Sequence, residues 1–155
     1  MTVPQQGETA PPFRLARDGG ATVSLDDFKG RQLVLYFYPK ADTPGCTKEA
    51  IAFSGLAKAF AKTGTDILGV SADPTTALDK FRDKHDLAIP LGSDESKEML
   101  TAYGVWGEKS MYGRKFMGVR RTTFLIGRNG RIAQVWENVK VPGHAQAVLE
   151  AAAAL

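Results

Sequence analysis

A chain of 155 residues has the size of one ordinary domain and buries enough surface to fold without disulfides, a structural metal or an obligate partner. Its make-up of 43% hydrophobic and 24% charged residues excludes a disordered or fibrous chain, and its apolar runs fall short of the roughly 18 residues a membrane span needs, so no membrane association is expected. The net charge of +3 arises from 20 basic residues interleaved with 17 acidic ones, too dispersed for a nucleic-acid surface. The opening stretch MTVPQQGETAPPF has neither the basic nor the apolar segment of a signal, and a cytoplasmic location is the expectation. Cys46 is the single cysteine, which leaves no internal disulfide and no Cys-x-x-Cys zinc site. With only His85 and His144, no histidine-based metal site is expected either. The cysteine is therefore inert packing or a reactive thiol.

Residues 1–12, with Pro4, Pro11 and Pro12, read as an extended lead-in. Phe13–Leu15 and Ala21–Ser24 flank the turn signal Asp18-Gly19-Gly20 and predict an N-terminal β-hairpin, after which Ser24 caps a single turn over Leu25–Phe28. Leu33–Tyr38 is apolar and aromatic without polar alternation, the pattern of a central strand buried on both faces. Pro44–Lys62 predicts a helix whose stripe is Phe53, Leu56, Ala57 and Phe60, with Gly64 as its stop. Asp66–Ala72 is a second apolar strand, and strand, helix, strand fits a parallel crossover. Asp73 as cap with Pro74 at the first helical position opens the next helix, lined by Leu78, Phe81 and His85. A short segment, Ala88–Leu91, precedes a helix over Glu95–Tyr103 that Gly104 stops. Val105–Gly118 breaks periodicity and reads as a long loop rich in large apolar groups. Val119–Ile126 and Arg131–Trp136 flank Asn129-Gly130, a strong hairpin signal, and Pro142–Leu155 forms the last helix, with Val148, Leu149 and Ala152 inward. The fold class that follows is α/β: a central mixed sheet flanked by helices, with an N-terminal hairpin, in the manner of the thioredoxin-like fold, over one domain spanning 1–155.

The chemistry concentrates at Thr43-Pro44-Gly45-Cys46. A residue before proline avoids the α region and proline suits the first helical position, so Thr43 falls at the N-cap and Cys46 in the first turn. Unpaired backbone N–H groups and the positive end of the helix dipole favour the thiolate there, and the thiolate is the nucleophile. The Thr43 hydroxyl can cap the helix while donating its hydrogen to the sulfur or to a bound oxygen. Cys46 stands one heptad before Phe53, so it points toward the buried stripe and suits a small substrate.

Pro39, Thr43 and Cys46, read as Pro-x-x-x-Thr-x-x-Cys within FYPKADTPGCTKE, resemble the active-site signature of the peroxiredoxins, and TPGCTKEA is most similar to the peroxiredoxin Q or bacterioferritin comigratory protein subfamily. APPFRL, LGVSAD, IPLGSDES and GVRRTTFLIGRNGRI extend the resemblance over most of the chain. It implies that Cys46 is the peroxidatic cysteine, that Thr43 contacts thiolate and peroxide, and that the ring of Pro39 shields the pocket from water. It assigns the essential arginine to Arg121, aligned on Phe124, with Arg120 as the competitor; strand alternation lets only one of the two aim at Cys46.

The implied activity is a thiol-dependent peroxidase of antioxidant defence, without a bound cofactor, that reduces hydrogen peroxide and small organic hydroperoxides through a Cys46 sulfenic acid. Many members of the subfamily carry a resolving cysteine five residues after the first. Here that position is Ile51, so the chain resembles the single-cysteine variety and needs an external thiol: thioredoxin, or glutathione with glutaredoxin. A monomer or weak homodimer is expected. The competing readings are a redox sensor or holdase, and a thiol-disulfide oxidoreductase of the thioredoxin class, which lacks its paired cysteines here. Glu49 and Arg82 as a buttressing pair read more simply as solvated helix charges, and stay outside the expected site. Trp106, Tyr112 and Phe116 are wall, dimer contact or plain packing, and His85 is a packed histidine rather than a catalyst.

Overall fold

Apolar runs, breakers and turn residues divide this computed structural model, which describes residues 2–155, into nine β-strands and five α-helices, with 3-10 turns at Asp18–Gly20 and Leu25–Phe28. They run β1 (Arg14–Arg17), β2 (Thr22–Ser24), β3 (Gln32–Phe37), α1 (Pro44–Gly55), α2 (Ala57–Lys62), β4 (Thr65–Ser71), α3 (Thr75–His85), β5 (Leu91–Ser93), α4 (Glu98–Ala102), β6 (Trp106–Met111), β7 (Arg114–Val119), β8 (Thr122–Ile126), β9 (Ile132–Trp136) and α5 (His144–Ala154). Seven strands form one sheet in the order β2-β1-β5-β4-β3-β8-β9. The β3–β4 and β4–β5 pairs are parallel and the other pairs antiparallel, so the sheet is mixed, as the thioredoxin-like expectation requires.

β3 is central because all six of its residues are buried. Alternation sends Leu33, Leu35 and Phe37 into one core and Val34 and Tyr36 into the other. The second core is covered by Phe53 of α1, Phe60 of α2, Leu78 and Phe81 of α3, and Val148 of α5. Burying one such ring contributes about 2–3 kcal/mol. The first core is closed by Met99 and Leu100 of α4, by Ala10 and Phe13 ahead of β1, and by Val105 and Val119. Helices thus lie on both faces, with four on the side that holds Cys46. Among the described residues no helix is long and apolar enough to cross a membrane.

Four expectations change. The helix over Pro44–Lys62 is two, because Leu56 (φ −101°, ψ 4°) turns its N–H to the carbonyl of Phe53 just after Ser54 and Gly55, a pair that bends helices. Asp73 does not cap α3: Pro74 holds the N-cap position, and the Asp73 carboxylate instead accepts from the Ala41 N–H and the Ser71 hydroxyl. The helix from Glu95 starts only at Glu98, since Lys97 is left-handed (φ 64°) and the Asp94 carboxylate takes the Leu100 N–H. Most consequentially, Val105–Gly118 is no loop. β6 and β7 pair antiparallel as a separate two-stranded arm outside the main sheet, through a tight turn in which Tyr112 and Gly113 both have positive φ (52° and 77°). This is the backbone of a two-residue hairpin turn, hidden in the sequence because tyrosine stands where asparagine is preferred. Val119 therefore ends β7 rather than opening the next strand.

Candidate active site

The site forms where β3 gives out. Tyr38, buried, still donates its N–H to Val70 beyond the end of β4 pairing, and the chain then turns through half-buried Pro39 into residues 40–43. That loop is pinned from α3 and from the end of β4. Ala41 N–H reaches Asp73 at 2.8 Å, and the Asp42 carboxylate meets Lys84 Nζ and His85 Nε2, each at 2.9 Å. Hydrogen bonds from His85 and Lys84 lower the Asp42 carboxyl from its ordinary value. These contacts hold Asp42 at φ 61°, a conformation a non-glycine residue adopts only when its surroundings impose it. His85 is packed edge-on against Phe81, as expected, and also fastens this loop.

Thr43 is the N-cap residue of α1 and Pro44 its first helical residue. Thr47 N–H closes the first turn on the Thr43 carbonyl at 2.8 Å. The expected side-chain cap is absent. The Thr43 hydroxyl donates to the Lys40 carbonyl at 2.8 Å instead, so its oxygen is left to accept rather than to donate toward the sulfur.

Cys46 is 1% exposed. Arg121 lies in the short connection between β7 and β8, its carbonyl fixed by Val139 N–H, and its guanidinium bridges two groups of α1. Nη2 is 3.4 Å from Cys46 Sγ and Nη1 is 2.7 Å from Glu49 Oε1. Gly45 makes the approach possible, because a Cβ there would stand 3.2 Å from Nη2. Arg120 points elsewhere, over Gly107.

Glu49, which the sequence presents as a solvated helix charge, belongs in the site. It is 1% exposed and paired to Arg121, while Arg82 lies apart with Asp18 (3.0 Å) and Asp83 (2.9 Å). The signal was available: Cys46, Glu49, Ala50 and Phe53 are the buried residues of α1 at helical spacing, and a carboxylate on such a stripe needs a partner. Burial pushes the Glu49 carboxyl up to about 7, with Arg121 opposing, and its Oε2 has no partner among the described residues. Burial alone would lower Arg121, but Glu49 and Cys46 outweigh it and the guanidinium titrates above its ordinary value. Behind this group, His144 Nε2 meets Thr123 Oγ1 at 2.8 Å and its ring stands edge-on to Phe53 and Trp136. Burial, helped by the charge of Arg121, holds His144 down to about 4, so it is a neutral spacer. Of the aromatic groups on the arm, Trp106 packs on the core beneath Lys97, whereas Tyr112 and Phe116 are exposed.

A cysteine at the first turn of a helix, faced by an arginine whose counter-carboxylate is buried on the same helix, is an arrangement for holding a thiolate against a polar oxidant. Residues 6–135 match the AhpC/TSA family. The chain belongs to that family. Among similar peroxiredoxins, a putative peroxiredoxin bcp from Coxiella burnetii is 46% identical over 143 residues, covering 92% of this chain and 95% of that protein. The Xanthomonas campestris bacterioferritin comigratory protein, solved in trapped intermediate and ligand complexes bearing on its alkyl peroxide reduction activity, superposes with a TM-score of 0.89 at 41% identity over 99% of this chain and 97% of that one. A Xylella fastidiosa PrxQ mutant superposes with a TM-score of 0.94 at 37% identity, covering 99% and 98%. The peroxiredoxin resemblance read from the motif around Cys46 therefore holds at the level of family, fold and subfamily, and this peroxiredoxin carries a single cysteine.

Proposed function

We propose that this thiol-dependent peroxidase reduces hydrogen peroxide and small organic hydroperoxides through Cys46. The thiolate attacks the terminal peroxide oxygen, the O–O bond breaks, and the sulfur keeps that hydroxyl as sulfenic acid while the other oxygen leaves as hydroxide or alkoxide and takes a proton from solvent to become water or an alcohol. Arg121 stabilises the charge that develops on the departing oxygen, Thr43 accepts the hydrogen of the peroxide through its free lone pairs, and Pro39 keeps water from the sulfur. Glu49 holds the guanidinium in place. The observation that carries this reading is the 3.4 Å contact of Arg121 Nη2 with Cys46 Sγ across the space left by Gly45. The alkyl peroxide reduction of the Xanthomonas relative supports organic hydroperoxides as part of the range.

Ile51, exposed on α1, occupies the position a resolving cysteine would take, so an external thiol closes the cycle. Thioredoxin, or glutathione with glutaredoxin, fits that part in a reducing cytoplasm. Cys46, Glu49 and Arg121 come from one chain, which supports a monomer, or at most a weak homodimer, as the working unit. Stopped-flow mixing of reduced protein with hydrogen peroxide is expected to consume one equivalent rapidly and leave sulfenic acid on Cys46. A Cys46→Ser protein that consumes peroxide equally well would sink the reading.

A further inference from the structure

Two cations beside the site lack an acidic partner. Gly107 and Gly118 face one another across β6 and β7, and their missing side chains leave a flat floor on one face of the arm. Arg120 Nη2 lies 3.0 Å from where a Cβ on Gly107 would stand, and Lys109 Cδ lies 3.0 Å from that of Gly118. Directly opposed positions are only about 5 Å apart, so the guanidinium and the lysine stem cover neighbouring positions of one face. Lys109 Nζ spends one donor on the Val119 carbonyl at 2.9 Å, and an ammonium has others to offer. Among the described residues neither cation is in an ion pair. The arm's carboxylate, Glu108, belongs to the opposite face with Lys115, at 3.8 Å. Burial, and then the charge of Arg121, lowers the Lys109 ammonium, with Cys46 acting in the opposite sense and Arg120 adding to the lowering. Arg120 directly precedes Arg121, whose Nη2 lies 3.4 Å from Cys46 Sγ, so the base of this face adjoins the site. Farther out on the same face stand exposed Phe116 and Met111.

Like charges held together without a counterion favour an anion. Hydrogen peroxide is neutral and gains little from them. The second reactant must come from outside and reach a sulfur that is 1% exposed, which favours a small molecule. We propose that this face of the arm, with Lys109 and Arg120 at its base, docks the external thiol that resolves Cys46 and selects small thiols bearing carboxylates. This rests on the peroxidase reading above. The thiol sulfur attacks the sulfenic sulfur, the S–O bond breaks, and the hydroxyl leaves as water with the thiol's proton, giving a mixed disulfide. A second thiol then attacks the added sulfur, yielding a small-molecule disulfide and reduced Cys46. The carboxylates sit on Lys109 and Arg120, which leaves the thiol end free to turn toward Cys46.

The test uses the full chain, oxidised with one equivalent of hydrogen peroxide and checked by mass for one added oxygen. Resolution rates are then measured with mercaptosuccinate, 2-mercaptoethanol and cysteamine. The ratio of the mercaptosuccinate rate to the 2-mercaptoethanol rate is expected to fall by about tenfold in Lys109→Gln and in Arg120→Gln, and to fall in the parent protein as salt is raised toward 1 M. The cationic cysteamine is expected to speed up, relative to 2-mercaptoethanol, in both variants. A merely structural effect lowers all three rates together and keeps the ratios, and that result, or a parent ratio insensitive to salt, overturns the docking proposal while leaving the peroxidase reading intact. Absence of the added oxygen overturns both.

Discussion

β6–β7 and β8–β9 are consecutive hairpins with strands of five or six residues, yet all of β8 is buried while β7 is exposed except at its last two positions. The difference lies in what each pairs with. β8 lies against β3 along its whole length, so Phe124 and Leu125 enter the two cores. β6 and β7 have only each other, and beyond Trp106 and Val119 their side chains meet solvent. A hairpin is thus a scaffold when a third strand covers it and a presentation surface when none does. The connection between the two divides accordingly: Arg121, next to β8, is held rigidly on Cys46, and Arg120, next to β7, lies out on the arm.

The contrast can be broken first at its phenylalanines. Phe124→Ala, in the buried hairpin, is expected to cost about 3–5 kcal/mol of unfolding free energy. Phe116→Ala, on the arm, should stay within about 0.5 kcal/mol. Urea denaturation of both variants checks this, and equal losses would mean that the arm is part of the core.

Next is the joint. Arg121→Gln leaves Glu49 buried without its partner, and about 3 kcal/mol of stability should be lost above pH 7, less at lower pH where Glu49 takes up a proton. With the role proposed for Arg121, the rate constant for Cys46 oxidation should fall about a hundredfold in stopped-flow traces.

Glu49→Gln sharpens the electrostatic side. The Glu49 carboxyl is raised from an ordinary 4.5 to about 7. Between those values the folded chain holds a proton that the unfolded chain has released, so the associated stability is full below pH 4.5 and is lost as pH rises to about 7, on the order of 3 kcal/mol in all. The Gln variant lacks that slope. Unfolding free energies of both proteins, compared from pH 4.5 to 7.5, are expected to differ by an amount that changes across this window, and a constant difference would show that Glu49 is ionised throughout.

The smallest effect is at the tip of the arm. Tyr112 adopts φ 52° beside Gly113, and asparagine tolerates that conformation better, so Tyr112→Asn should stabilise the arm by less than about 1 kcal/mol. Amide hydrogen exchange localised to β6 and β7 reads this directly, and faster exchange would contradict it.

The sequence by itself determined the elements whose signals are local. The unbroken apolar run of β3, the Asn129-Gly130 turn and the Pro44 start of α1 follow from periodicity and from backbone restrictions within a few residues. The same locality put Cys46 in a first helical turn, the motif around it carried Thr43 and Pro39 as expectations, and the resemblance of the segment GVRRTTFLIGRNGRI carried Arg121. Tertiary structure decided whatever depends on a partner distant in the chain. Glu49 reads as a surface charge until Arg121, 72 positions away, arrives beside it. The Thr43 hydroxyl had competing acceptors, and the folded loop gave it the Lys40 carbonyl. Residues 105–118 carry no strand signal because a strand without a core to face has no reason to alternate apolar with polar side chains. Which arginine meets the sulfur was settled by the connection between two hairpins, one anchored on β3 and the other free.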